Sequence, residues 1–297
     1  MYNSFDVLSD NTITSQRTLA VAAAHDKHTL KAVLTASDSF NVRFILTGDR
    51  KKIQSLSSEL GYLPDDDSII DAKNDKECAE TAVYLIKQGK AGALMKGLLD
   101  TGILLKAVLN KDSGIRDSGT LSHLAILETP GYHKLIGITD GGMIPYPSLP
   151  QKADIVRNAV KFYKRIGYQN PKIAALCASE SVNPKISETV EAAALQEMCS
   201  NGELGNCVLE GPLSFDIAIN KESADVKGFV SEISGETDIL LVPSITVGNV
   251  LAKGLIYCAG AKMAGIILGA NAPIVLTSRG ASAEEKLLSI MLSILGG

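Results

Sequence analysis

Thr18-Leu-Ala-Val-Ala-Ala-Ala24, then Asp26 to Phe40, then Val42-Arg-Phe-Ile-Leu-Thr-Gly48 is the stretch from which the fold can be read. The outer segments are short and apolar, as strands buried on both faces are. Between them Leu30, Val33 and Leu34 take three- and four-residue steps, which places them on one face of a helix. The same rhythm continues as helix 50–60, strand 67–72, helix 76–89, strand 91–97 and helix 101–110. Such alternation predicts an α/β protein with parallel strands covered by helices on both faces.

Farther along, apolar runs at 122–127 and 134–139 flank Glu128-Thr-Pro-Gly131, turn chemistry that predicts antiparallel neighbours. Asp140-Gly-Gly-Met-Ile-Pro-Tyr-Pro-Ser-Leu-Pro150 is the strongest punctuation, a domain hinge or a binding loop. The rhythm then resumes with helix 151–166, strand 172–178, helix 184–199, strand 207–210, a helix near 213–230, strand 238–243 and helix 247–260. Runs at 264–268 and 273–277 lead into a last helix over 283–295.

The 297 residues carry 29 Lys and Arg against 33 Asp and Glu, a net charge of −4, which excludes a basic nucleic-acid clamp by bulk charge. With 45% hydrophobic and 21% charged residues the composition is that of a globular chain with enough apolar surface for a core. Cysteines 78, 177, 199, 207 and 258 form no C-x-x-C and read as reduced thiols of a cytoplasmic protein. Asp6 stands where a signal peptide needs cationic and then apolar residues. The apolar stretch 254–277 is interrupted by Lys262 and Pro273, which suits a helix and buried strands better than a membrane span.

Several common signatures are missing. Gly92-Ala-Leu-Met-Lys-Gly97 continues with Leu-Leu-Asp and is no phosphate-binding Walker loop, and there is no G-x-G-x-x-G, G-x-S-x-G or H-E-x-x-H. His25 and His28 lack companion ligands and read as a solvated helix face, so no metal is expected.

The most informative local string is Val275-Leu-Thr-Ser-Arg-Gly-Ala-Ser-Ala-Glu-Glu-Lys286, a strand ending in Ser278 and Arg279 just ahead of a helix. Ligands gather at the carboxyl ends of parallel strands, and a helix N-terminus with an Arg beside it attracts anions. Ser282-Ala-Glu-Glu285 is equally a capping box, in which Glu285 satisfies the helix start. Lys96-Gly97 with Thr101-Gly102 is a second strand-to-helix passage at the same edge, or a plain turn. Arg116 is a candidate anion contact or a solvated loop residue, and Ser122-His123 opens a strand where a His is commonly structural. Glu210-Gly-Pro-Leu-Ser-Phe-Asp216 and Pro243-Ser-Ile-Thr-Val-Gly-Asn249 both follow strands, with Asn249 near a helix start as a cap or a ligand contact.

Together these strings resemble the phosphate acetyltransferase and phosphate butyryltransferase family over nearly the whole chain. The specific carriers are 210–216, 243–249 and Ser278-Arg279-Gly280; Lys96-Gly-Leu-Leu-Asp-Thr101, Ser122-His123 and Asp140-Gly-Gly142 are more similar to the butyryl branch. The resemblance implies a two-lobed fold of mixed sheets like the isocitrate and isopropylmalate dehydrogenases, with the active site in the cleft. Lobe I would be 1–130 with 273–297, and lobe II the inserted 131–272. It implies the reaction acyl-CoA + phosphate ⇌ acyl phosphate + CoA, with coenzyme A as substrate or product, no permanently bound cofactor and a homo-oligomer at least dimeric.

By the same resemblance Ser278 and Arg279 match the catalytic Ser-Arg pair, and Glu285 the acidic residue seven places after the Ser, with Glu284 its neighbour as the alternative. Lys96, Thr101, Arg116, Ser122 and Asn249 are expected to bind substrate. With acyl phosphate as substrate the CoA thiol must lose its proton, which a carboxylate assists, while Arg279 and Ser278 meet the oxyanion that follows. Two other readings remain: a metal- and NAD-dependent decarboxylating dehydrogenase of the same fold, for which no Asp cluster assembles, and a non-catalytic acyl-CoA-binding protein.

Overall fold

Residues 2–12, 16–117, 119–277 and 280–297 are described in the computed structural model. They form an α/β protein of mixed sheets flanked by helices. The strands among them are β1 (Arg17–Ala22), β2 (Val42–Gly48), β3 (Ile69–Asp71), β4 (Ala93–Lys96), β5 (Ser122–Glu128), β6 (Ile136–Thr139), β7 (Lys172–Leu176), β8 (Val208–Leu213), β9 (Ile239–Leu241), β10 (Lys262–Leu268) and β11 (Ile274–Val275). The helices are α1 (Phe5–Thr12), α2 (Lys27–Phe40), α3 (Arg50–Glu59), α4 (Asp75–Lys87), α5 (Thr101–Val108), α6 (Leu149–Arg165), α7 (Ser187–Ser200), α8 (Phe215–Ile219), α9 (Lys221–Val226), α10 (Ile245–Ala259) and α11 (Ala283–Leu295). Among the described residues no helix is long and apolar enough to cross a membrane.

The chain divides into a terminal unit, 9–118 with 264–297, and a central unit, 119–263 with residues 1–8. These breaks, at 118/119 and 263/264, lie ahead of the expected 130/131 and 272/273. β5 pairs antiparallel with β6 (Ala125↔Ile138) in the central unit, and β10, most of which lies in the terminal unit, pairs with β11 (Ile267↔Ile274).

In the terminal unit the strand order is β3-β2-β1-β4-β11-β10, the first five parallel and β10 antiparallel to β11. Every residue from Leu19 to Ala24 is fully buried, which requires cover on both faces of the sheet. Leu30 and Val33 of α2 and Ile290 and Ile294 of α11 join Leu19, Phe44 and Met95 in its core.

Each parallel strand leads to a helix whose first turn is closed by a side chain. Asp26 accepts from the Thr29 N–H (2.9 Å), Asp49 from Lys52 (3.0 Å), Asn74 from Glu77 (3.0 Å), Asp100 from Gly102 (2.7 Å) and Ser282 from Glu285 (3.0 Å). These caps fix where the helices begin and bring their N-termini to the carboxyl edge of the strands. Gly97 makes the closest backbone approach at that edge. A Cβ there would lie 2.3 Å from the Ala23 carbonyl oxygen and 2.7 Å from that of Ala22. Gly97→Ala is therefore expected to destabilise the terminal unit by about 3 kcal/mol, the upper range for overpacking. Hydrogen exchange in β1 and β4 would read this, and unchanged protection there would refute it.

The central unit orders its strands β5-β6-β9-β7-β8, with β5 antiparallel to β6 and the rest parallel. The antiparallel turn predicted at 128–131 is therefore present. Pro150, expected as loop punctuation, lies in the first turn of α6, where a missing N–H costs nothing, and Ser148 and Gln151 close a capping box around it. The helix expected near 213–230 is broken into α8 and α9 at Asn220, whose side chain accepts from the Glu222 and Ser223 N–H groups and restarts the helix. α1 was not expected; its buried Phe5 and Leu8 are one turn apart in a run too short to show a period.

Tyr132, Tyr163 and Tyr168 pack into this unit, and burial pushes each phenol up, Tyr168 to about 12. The folded state thus keeps protons that the unfolded chain releases above about pH 10. Stability is full below that pH and falls as it rises, by ~1.4 kcal/mol per pH unit for each phenol still protonated. The share of the tyrosinate absorbance that disappears in Tyr132→Phe, Tyr163→Phe and Tyr168→Phe should arise only together with loss of folded structure, above about pH 10; that share titrating near pH 10 in the still-folded protein would refute it.

Candidate functional site

Two edges collect the chemistry, one in each unit. At the carboxyl edge of the terminal unit, β4 ends in Lys96, half-buried, whose ammonium donates to the carbonyls of Gly97 (3.2 Å) and Leu99 (3.0 Å). Thr101 follows as the first residue of α5 under the Asp100 cap. Arg116 is exposed and lies on the chain that bridges antiparallel to Ala270, with the Asn271 N–H donating to the Ile115 carbonyl (2.8 Å).

β11 runs parallel to β4, Val275 opposite Met95, so its continuation, Leu276-Thr277, reaches the same edge. Ser278 and Arg279 lie outside the described residues. Glu285 is in the first turn of α11, its N–H on Ser282 Oγ, and the side chain is half-buried while Glu284 is exposed. Burial pushes the Glu285 carboxyl up; Lys286 and the Ser282 N–H pull it the other way. Glu285 thus takes part in the cap twice, its N–H on Ser282 Oγ and its carboxyl on the Ser282 N–H, and burial still leaves that carboxyl raised.

His25 is not on a helix face. It precedes α2, and its Nδ1 is buried without a hydrogen-bond partner against Gly48, where a Cβ would come within 2.6 Å of it. His28 is exposed. Among the described residues no group of three His, Cys, Asp or Glu side chains is placed to hold a metal ion.

In the central unit, β5 is antiparallel to β6, so its first residues lie beside the end of β6. Ser122 is buried, and its Oγ accepts from Asn158 Nδ2 (3.0 Å), which also donates to the Thr120 carbonyl (2.7 Å). Asp140, 1% exposed, accepts the backbone N–H groups of Gly142 (2.9 Å), Met143 (2.9 Å), Ile144 (3.1 Å) and His123 (3.2 Å). This carboxylate folds the 140–144 loop onto the His123 ring, whose Nδ1 is buried and unpartnered. Burial pushes the imidazole down and the Asp140 charge opposes it.

Asn249 is exposed one turn inside α10, whose cap is Ser244. Gly141 and Gly248 touch; a Cβ on Gly248 would lie 2.7 Å from Gly141 Cα. That approach brings Asn249, the 140–142 loop and Ser122-His123 together. The Asp140 pocket of N–H groups escaped the sequence reading, although Asp-Gly-Gly was its signal.

A second cluster follows β8. Ser214 Oγ bonds both Glu180 and Asp216, and the Lys227 ammonium reaches Glu180 (3.1 Å) and Asp216 (2.9 Å). Hydrogen bonds from Ser214 and then Lys227 hold Asp216 down to about 2. Beside it an apolar cavity of about 720 Å³ is lined by Leu176, Phe215, Pro243, Val247, Val250 and Leu251.

A family model described as Phosphate acetyl/butaryl transferase matches residues 76–294. A phosphate butyryltransferase from Clostridium acetobutylicum is 43% identical over 277 residues, 93% of this chain and 92% of that one. A phosphate acetyltransferase from Thermotoga maritima is 38% identical over 275 residues, 93% of each. The crystal structure of a branched-chain phosphotransacylase from Enterococcus faecalis V583 superposes with a TM-score of 0.83 at 30% identity, over 94% of this chain and 98% of that one.

Proposed function

The chain belongs to the phosphate acetyltransferase and phosphate butyryltransferase family and is a phosphate acyltransferase, and on that premise we propose that it interconverts butyryl-CoA and phosphate with butyryl phosphate and CoA. In this reading coenzyme A is substrate and product, with no resident cofactor. The enzyme is a cytoplasmic homo-oligomer whose two units form the lobes of an isocitrate/isopropylmalate dehydrogenase-like fold. A decarboxylating dehydrogenase is not favoured by the family placement.

The observation that carries the mechanism is Glu285, half-buried in the first turn of α11 with its carboxyl pushed up by burial. A carboxylate so raised is a better proton acceptor than an exposed one, and the CoA thiol, with a pKa near 8.5, must lose its proton to attack acyl phosphate. Arg279 and Ser278 hold the phosphate and stabilise the tetrahedral oxyanion. Lys96, Thr101, Arg116, Ser122 and Asn249 bind substrate; Ser122 Oγ accepts from Asn158 and keeps its own O–H to donate. Transfer is direct, in a ternary complex.

The carboxylate form of Glu285 exists only above its raised pKa. The kcat/KM of CoA attack on butyryl phosphate should therefore fall on an acid limb lying above the ordinary carboxylate range. Glu285→Gln should remove that limb and cost about 10²–10⁴ in rate, and a limb unmoved in Glu285→Gln would dismiss the assignment. CoA release from acetyl-, propionyl-, butyryl- and isobutyryl-CoA, followed with a thiol reagent, tests the reaction itself. Release should require phosphate and favour the four-carbon chains. Fastest release from acetyl-CoA would refute the butyryl preference, and a trapped acyl-enzyme would refute direct transfer.

A further inference from the structure

Two cysteines far from both edges face one another. Cys199 is in the last turn of α7 and Cys207 directly precedes β8, with their sulfurs 3.5 Å apart. Both are half-buried. Cys78 is buried and Cys258 exposed. Gly202 and Gly205 take positive φ values of 77° and 89° and reverse the chain between the pair. Residues 200–203 beside them are exposed, so a soluble reagent can reach the pair. No sequence motif marks this pair, because the motif of paired thiols has two intervening residues and this pair has seven.

We propose that Cys199 and Cys207 are an oxidisable dithiol, converted to an intramolecular disulfide by low-molecular-weight disulfides. The hydrogen bonding assigns the order of attack. The Cys199 S–H donates to the Cys207 carbonyl (3.3 Å), which leaves the Cys207 S–H to donate to Cys199 Sγ. Cys207 holds its proton, pushed up to about 12 by burial and then by its hydrogen bond to Cys199. Cys199 is the first nucleophile. Its proton passes to water, and the thiolate attacks one sulfur of the reagent RSSR, breaking that S–S bond, forming a mixed disulfide and releasing RS⁻, which takes up a proton. Cys207 then loses its proton to water and attacks Cys199 Sγ, forming the 199–207 bond and expelling the second RS⁻. The balance is two protein thiols and RSSR giving one protein disulfide and two RSH. The protein is oxidised by two electrons and the reagent reduced by two.

The test treats the full-length protein with oxidised glutathione, blocks remaining thiols by alkylation and maps peptides by mass. The expected result is a cross-linked 199–207 peptide, with Cys258 carrying at most a glutathione, and reversal by dithiothreitol. In Cys207→Ser the same treatment should leave glutathione on Cys199, because no second thiol displaces it. The cross-link should also raise the thermal midpoint of the wild type, since it restricts the unfolded chain. Complete alkylation of Cys199 and Cys207 after oxidation, or glutathione retained on Cys199 in the wild type with no cross-link, would overturn the proposal. Both outcomes are read in the wild type, so the proposal does not depend on the variant folding.

Discussion

Asp238→Ala should cost the central unit about 3–5 kcal/mol, the range for removing one partner of a buried ion pair. Lys134 is 2% and Asp238 3% exposed, and the Lys134 ammonium donates to Asp238 Oδ1 at 2.8 Å and to the Glu236 carbonyl at 2.6 Å. The other carboxylate oxygen accepts the Lys172 N–H at 2.8 Å. The backbone of Asp238 bonds Gly137 and Lys172, so this residue joins the starts of β6, β9 and β7. Alanine removes the carboxylate 2.8 Å from a buried ammonium and frees the Lys172 N–H as well. Replacing both partners, Lys134→Met with Asp238→Leu, should recover much of the loss, because no charge is then left buried. Hydrogen exchange in β6 and β9 reads the effect separately from the terminal unit. A loss below about 1 kcal/mol for the single variant, as at an exposed pair, would show that the pair is solvated.

Arg279→Ala should lower kcat/KM for phosphate-dependent CoA release by about 10²–10³, the effect of deleting one oxyanion donor. The reason is the placement of its neighbours. Thr277 continues β11 at the carboxyl edge, and Ser282, five residues on, caps α11. An arginine there carries a fixed charge and a planar fork that binds two phosphate oxygens at once. Arg279→Lys keeps the charge and loses the fork, so it should recover only part of the activity. Equal activity of wild type and Arg279→Ala at saturating and limiting phosphate would remove Arg279 from the mechanism.

Much of the candidate site was legible because its carriers are local. Ser282 with Glu285 reads as a cap from a three-residue spacing, and the structure shows that cap. The same spacing could not choose between Glu284 and Glu285, since both are first-turn carboxylates. Burial separates them, and burial is set by what the helix packs against. Ser122 shows the converse. It opens a strand as expected, and its hydroxyl accepts from Asn158, 36 residues later, a partner that no local spacing announces. Asn249 was read as a cap or a ligand contact near a helix start; the helix begins earlier and Ser244 caps it, which removes only the capping role.

By itself the sequence determined the alternation of strands and helices from β1 onward, apart from the break at Asn220, together with the parallel rhythm, the antiparallel turn at 128–131, the helix starts at Asp26 and Ser282, and the family. These follow from contacts a few residues apart: hydrophobic period, turn chemistry and the N–H groups of a first turn. Only the tertiary structure decided that Lys134 meets Asp238 across 104 residues, that Asp140 gathers four N–H groups, and that Cys199 faces Cys207. Charge, protonation and reactivity depend on the dielectric and the partners around a group, and packing brings those from distant parts of the chain.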